Sequence, residues 1–483
     1  MRHGSVASGC DGRGAPDQRD SRDFEICDMT EAQPITAPTA RPAMPKSASP
    51  PVAIFSIVLS MSLTALTSGL LYAYIPLKLA SAGFAPWVAG AVLTAVPAGG
   101  LAGCLLAGKF VRRVGHARAF AALAAVFAIS VLPLAAAIEP TLWIGARVIY
   151  GFSIAGLFVV AQSWLNDACD NAWRGRVIAV FYTIYVLAIG AGAFVVGRVA
   201  LEGSAVPLLA MFFAALSILP VSLTRLPPPP PPEAVRVAVR AAWTISPVGL
   251  VGLLTVGGLT MLVQGFAPIY AAAEGYAQAD IALMMFLMQF GMLAVQTPLG
   301  IWSDRVDRRY VLIAAVAIVV VSAGIAAAVG AVALIWLILI FAVWGGATEA
   351  IYSVANAHAT DRGEPRYYVS LMSTLMIAWS VSALVLPAVA TALTPIFGLK
   401  AFMFLAIAVA AAYGLFVAYR LTRREAPAEA DQEQFLTVSA QAPLTAELAH
   451  QSEDARRRPA GPDFFERPRS TGDGKENPGS EDE

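Results

Sequence analysis

The chain reads as an all-α membrane protein of about twelve transmembrane helices in two related six-helix halves, and three observations predict that fold class. The first is composition. Of 483 residues, 57% are hydrophobic and only 14% charged, with a mean hydropathy of +0.65 despite visibly polar ends. A soluble domain carries about a quarter charged residues, so a soluble enzyme is excluded. The second is spacing: apolar runs of membrane-spanning length follow one another from Val52 to Tyr419. The third is an internal repeat. Tyr74–Phe84 (YIPLKLASAGF) lines up with Phe266–Tyr276 (FAPIYAAAEGY), setting Pro76 on Pro268 and Gly83 on Gly275 at an offset of 268 − 76 = 192. Without a gap, the same offset sets Gly108 on Gly300, Arg113 on Arg305 and Arg174 on Arg366. Apolar low complexity does not produce such a match, because the paired positions include prolines, glycines and loop arginines. Two similarly oriented halves follow.

Residues 1–51 lack the apolar core of a signal peptide, and their Gly, Ala, Pro and Ser content reads as a disordered cytoplasmic tail, with Met29 an expected alternative start. The first half, 52–223, holds spans near 52–75, 86–107, 118–138, 142–165, 177–198 and 205–223. Loop cations punctuate them: Lys109, Arg112 and Arg113 after the second, Arg174 and Arg176 before the fifth, Arg225 after the sixth. A linker, 224–246, follows. Its proline run favours a stiff polyproline II spacer, and its arginines suit an anionic leaflet. The second half, 247–420, holds spans near 247–272, 280–300, 310–331, 333–357, 368–393 and 399–420, with Arg305, Arg308, Arg309, Arg362 and Arg366 in its loops. Residues 421–483 turn polar and read as a disordered cytoplasmic tail. With the amino terminus inside, the outer loops hold only Lys78, Arg198 and Lys400. That bias, roughly five to one, puts both termini in the cytoplasm.

The formal net charge is zero, which gives no reason to expect nucleic acid. Cys10, Cys27, Cys104 and Cys169 are scattered, with neither a disulfide framework nor metal-ligand spacing, and no cofactor is expected. Gly103–Phe110 (GCLLAGKF) imitates a phosphate loop. Phe110, however, stands where a Ser or Thr must reach magnesium, and the motif ends an apolar helix rather than joining a strand to a helix.

The loops carry a resemblance. Gly300–Arg309 (GIWSDRVDRR) is similar to the loop motif that major facilitator proteins hold between the second and third helices and, more weakly, between the eighth and ninth. Arg147 and Gly151 resemble the fourth-helix Arg-x-x-x-Gly motif, and residues 159–192 resemble the YcaD-like branch of bacterial proteins in that superfamily. There are departures. Arg112 replaces the motif aspartate in the first half and Asp307 the glycine in the second, so the helix-end salt bridge that the family implies is expected at Asp304 alone. Gln162 stands where the branch often has a glutamate, an amide where a carboxylate would titrate. The Gly-Pro pair of drug antiporters is missing from the fifth helix, so proton-coupled drug export is not the default.

The resemblance implies that helices one, four, seven and ten line a central cavity. On the first, Ser60, Thr64, Thr67, Ser68 and Tyr72 share a face, and the repeat sets Ser68 and Tyr72 on Thr260 and Gln264 of the seventh. Hydroxyls of this kind also bond their own backbone and ease helix packing. On the tenth, Glu349, Tyr352, Ser353 and Asn356 fall at i, i+3, i+4 and i+7. Glu349 lies roughly 24 Å from the outer end and about 12 Å from the inner one at 1.5 Å per residue. It must be protonated, paired or in water, and pairing with another helix competes with a functional reading. Arg147, about 8 Å from the outer end, either serves the cavity or snorkels outward. Gln162 contacts solute or belongs with Trp164 to an interfacial anchor. The loop residues Gly108, Arg113, Gly300, Asp304 and Arg305 form a gate or merely satisfy topology, with Asp167 and Asp361 as candidate partners.

The expected function is that of a secondary carrier for a small organic solute in a bacterial inner membrane, monomeric and coupled to protons through Glu349 and Arg147. The competing class is a polytopic sensor without transport, which needs a folded signalling domain that the polar tails do not offer.

Overall fold

The computed structural model describes residues 50–169, 171–224, 226, 229, 237–363, 368–423 and 439–441. Among them are fifteen helices. In the first half these are α1 (Pro50–Ser81), α2 (Pro86–Val114), α3 (His116–Ile129), α4 (Leu132–Ala136), α5 (Pro140–Ala168), α6 (Asn171–Val196), α7 (Ala205–Leu216) and α8 (Ile218–Leu223). A short α9 (Val239–Ile245) precedes the second half: α10 (Pro247–Ala273), α11 (Gln278–Ser303), α12 (Arg308–Ala328), α13 (Leu334–Thr360), α14 (Tyr368–Phe397) and α15 (Ala401–Leu421). With α3–α4 and α7–α8 each forming one span, twelve segments are long and apolar enough to cross a membrane. Helices are the economical answer to hydrocarbon, since each satisfies its backbone polar groups within itself. Large apolar side chains such as Phe55, Phe212, Ile396 and Leu415 stay exposed, as lipid-facing positions should.

The repeat reappears in the helix ends. Shifting α3–α4 (116–136) by 192 gives 308–328, the bounds of α12. Gly83 (φ 79°) and Gly275 (φ 85°) both take the left-handed conformation that glycine adopts without penalty. The amides after them close the same turn, Phe84 N–H to Leu79 O and Tyr276 N–H to Ala271 O, 3.0 and 3.1 Å. The loop motif is built differently in each half. Gly115 turns with φ 83°, whereas Asp307 in the equivalent place caps α12 by accepting from the Arg309 amide.

Lipid offers little hydrophobic reason for helices to associate, so close approach of small residues must do it. A Cβ on Gly99 would stand 1.8 Å from the Val148 carbonyl oxygen, and one on Gly151 2.0 Å from that of Val96, so α2 and α5 touch backbone to backbone. Gly69 and Gly192 do the same for α1 and α6. Between the halves, Gly90 of α2 faces Thr391 of α14, and Gly197 faces Ala279 and Ala282 of α11. Gln278 adds bonds to the Val196 and Val199 carbonyls at 2.6 and 2.8 Å. All these cross-half contacts lie at the end of the bundle away from Pro50 and Leu421.

Several boundaries differ from the sequence reading. Helix α1 continues through Pro76 to Ser81, and α2 continues to Val114. The linker ends in α9, whose Trp243 ring meets Phe416 of α15 at 6.1 Å; most of the proline run lies outside the described residues. Ser439–Gln441, part of the tail expected to be disordered, instead packs inside the bundle, with Ser439 and Ala440 buried.

Candidate functional site

A central cavity of about 90 Å³ lies between the halves. Its first-half wall carries hydroxyls. Tyr150 of α5 donates to Ser68 of α1, and Tyr72 and Tyr185 line the same space. The second-half wall carries amides. Gln264 of α10 donates to the Met292 sulfur (3.1 Å) and accepts from Gln289 of α11 (3.3 Å), while Gln289 accepts from Gln441 (3.0 Å). Trp379 and Ser380 of α14 complete a mostly apolar lining. Tyr72 and Gln264 thus meet in one cavity, as their equivalence in the repeat implies.

Glu349 sits beside this space in α13, 2% exposed and eleven residues from Thr360. One carboxylate oxygen accepts from the Ala440 amide at 2.7 Å; the other has no hydrogen-bond partner among the described residues. Its neighbours on the same face are engaged locally. Ser353 accepts from Gln296 of α11 at 2.7 Å, and Asn356 donates to the Tyr352 carbonyl at 2.9 Å. Gln162 donates to the Tyr182 hydroxyl at 2.9 Å and does not line the cavity.

Arg147 is 1% exposed, turned inward rather than out to the interface. Its guanidinium stacks on Tyr150 at 3.9 Å and lies 5.5 Å from the Tyr72 ring, one layer behind the cavity wall. It makes no ion pair with Glu349, and its three nitrogens have no hydrogen-bond partner among the described residues.

At the end that carries Leu421, the loop motif forms a cluster. Arg308 reaches both oxygens of Asp361 at 2.6 and 3.4 Å and Asp304 at 3.4 Å, which ties the ends of α11, α12 and α13 together. Arg309 grips Asp307 at 2.6 Å and bonds the Arg420 carbonyl of α15. Burial pushes the Asp307 carboxyl up, but the Arg309 side-chain and backbone hydrogen bonds and its charge more than offset this, leaving the pKa below the usual value. Arg113 and Arg305 are exposed, so Arg308 takes the place at Asp361 that adjacency suggested for Arg305. Gly108 lies six residues before the end of α2 at Val114, and Gly300 three residues before the end of α11 at Ser303.

Gln289 and Gln296 went unremarked in the sequence, although two amides seven residues apart on an apolar helix share a face. The contact of Ala440 had no signal, since a backbone amide has no residue signature.

The profile of the Major Facilitator Superfamily matches residues 57–277 and 248–461. The chain belongs to that superfamily. It is similar to the uncharacterized MFS-type transporter YcaD of Salmonella arizonae, at 25% identity over 68% of this chain and 86% of that one. The uncharacterized MFS-type transporter Ent638_1421 of Enterobacter sp. is 25% identical over 69% and 87%. Among solved structures, the nucleoside transporter NupG (D323A mutant) superposes with a TM-score of 0.63 at 12% identity, over 77% of this chain and 99% of its own. The human organic anion transporter MFSD10 (TETRAN) gives 0.56 at 16%, over 77% and 100%. These structures share the fold. The protein is therefore a multi-pass membrane transporter of the Major Facilitator Superfamily, similar to the YcaD-type members.

Proposed function

We propose that this transporter is a proton-coupled secondary carrier that moves a small organic solute across the bacterial inner membrane by alternating access, as a monomer with both termini cytoplasmic. The observation that carries the reading is Glu349, a buried carboxylate beside the central cavity with one oxygen unpartnered among the described residues. An ionisable group at such depth is costly, and protonation or solvation during a cycle relieves that cost. Arg147 supports a solute with an anionic group, because its charge stands behind the cavity wall without an acidic partner among the described residues. Alternating access draws support from the cross-half contacts at the end away from Pro50 and Leu421. Among the described residues the Asp304–Arg308–Asp361 contacts lie in the second half, where they hold the ends of α11, α12 and α13 together as that half rocks.

Reconstituted Glu349→Gln protein tests the reading, since the amide mimics the protonated form. The variant should bind solute and exchange it between compartments, yet fail to concentrate it under a pH gradient. Accumulation at the wild-type level refutes proton coupling through Glu349. Reduced expression with coupling intact makes the glutamate structural.

A further inference from the structure

Ser439, Ala440 and Gln441 belong to the polar tail after α15, yet they lie in the interior. Ala440 is 0% exposed; its amide donates to Glu349, the Gln441 side chain donates to Gln289 and lines the cavity, and the Ser439 hydroxyl accepts from the Gln441 amide at 3.2 Å. The sequence around them fits that place. From Gln434 to Ala446 (QFLTVSAQAPLTA) the tail carries no charge, whereas Asp431, Glu433 and Glu447 bracket the window. An uncharged stretch can pack against a buried carboxylate; an acidic one would meet repulsion and desolvation cost. The reach is ample. The fifteen residues between Arg423 and Ser439 can extend about 50 Å, while Glu349 lies roughly 16 Å along α13 from its Thr360 end.

We propose that the segment Ser439–Gln441 is an internal ligand of the central cavity, seated where solute would meet Glu349 and Gln289, so that tail and solute compete. The bond from a backbone amide to a buried carboxylate is charge-assisted and supplies Glu349 with a partner that a solute must otherwise provide. The competition rests on the carrier reading above; occupancy of the cavity does not.

Cys104 lines the cavity and reports on it. In a chain with Cys10, Cys27 and Cys169 changed to Ser, the rate of Cys104 modification by N-ethylmaleimide is compared for the full chain, a chain ending at Arg424, and Ala440→Pro, which removes the donor amide. A plug seated in nine molecules of ten slows labelling about tenfold, so truncation and Ala440→Pro should each raise the rate by about that factor, and Ala440→Gly should leave it unchanged. A synthetic peptide of residues 434–446, added to the truncated chain, should restore protection. Equal rates in full and truncated chains, or a peptide without effect, overturn the proposal. Labelling needs neither solute nor proton gradient, so its outcome is separate from that of the coupling test.

Discussion

Arg308→Ala should destabilise the protein far more than Asp304→Ala, although both remove a partner from the same cluster. The difference comes from burial. Arg308 and Asp361 are each 1% exposed and joined through two contacts, 2.6 and 3.4 Å, whereas Asp304 is 32% exposed and 3.4 Å from Arg308. Removing one member of a buried pair strands the other charge and costs about 3–5 kcal/mol. An exposed pair contributes about 0–1 kcal/mol. Unfolding of detergent-solubilised protein by SDS, followed through tryptophan fluorescence, reads both. The double variant Arg308→Met with Asp361→Leu should recover most of the loss, because no buried charge remains. If Arg308→Ala costs less than about 1 kcal/mol, like Asp304→Ala, or the double variant is no better than the single, the reasoning fails.

Asp307→Asn should lower thermal stability at neutral pH and not in acid. The native carboxyl is held below its ordinary 3.8, so its contribution is fully present above that value and lost as pH falls through the folded pKa; a stability gap that does not shrink as the pH falls contradicts this. Gly151→Ala forces its Cβ against the Val96 carbonyl and should cost about 1–3 kcal/mol, while Gly145→Ala, with nothing within 4 Å, should be neutral in the same SDS titration. Arg147→Gln should abolish thermal stabilisation by acidic solutes and spare that by neutral ones; equal loss for both classes makes Arg147 a packing residue rather than a source of field.

The helix frame was legible because hydrocarbon leaves so few alternatives: a run of apolar residues must be helical, and loop cations mark where it stops. The offset of 192 carried further, down to the left-handed turns at Gly83 and Gly275. The polar contacts were less legible. Arg305 and Arg308 look equivalent in sequence, yet Asp307 caps α12 between them, which leaves Arg305 in the loop and starts a helix that carries Arg308 inward to Asp361. Glu349 stood out by depth alone. Its partner did not, since any residue but proline can donate a backbone amide.

The repeat also shows where chemistry has been added, because a duplicated frame makes each departure visible. By the offset, Glu349 stands on Leu157, Tyr352 on Val160, Gln289 on Pro97, Gln296 on Cys104, and the pair Arg308 and Asp361 on His116 and Cys169. In the opposite direction, Arg147 and Tyr150 stand on Leu339 and Ala342. The left-handed turns at Gly83 and Gly275 and the bounds of the third and ninth spans, which the fold needs twice, recur in both halves; groups that are costly in hydrocarbon occur once. A buried carboxylate in one half and a buried guanidinium in the other, not paired with each other, make the two walls of the cavity electrically unlike. A symmetric frame can rock between two states, but only unlike walls give solute, proton and tail different places to bind within it.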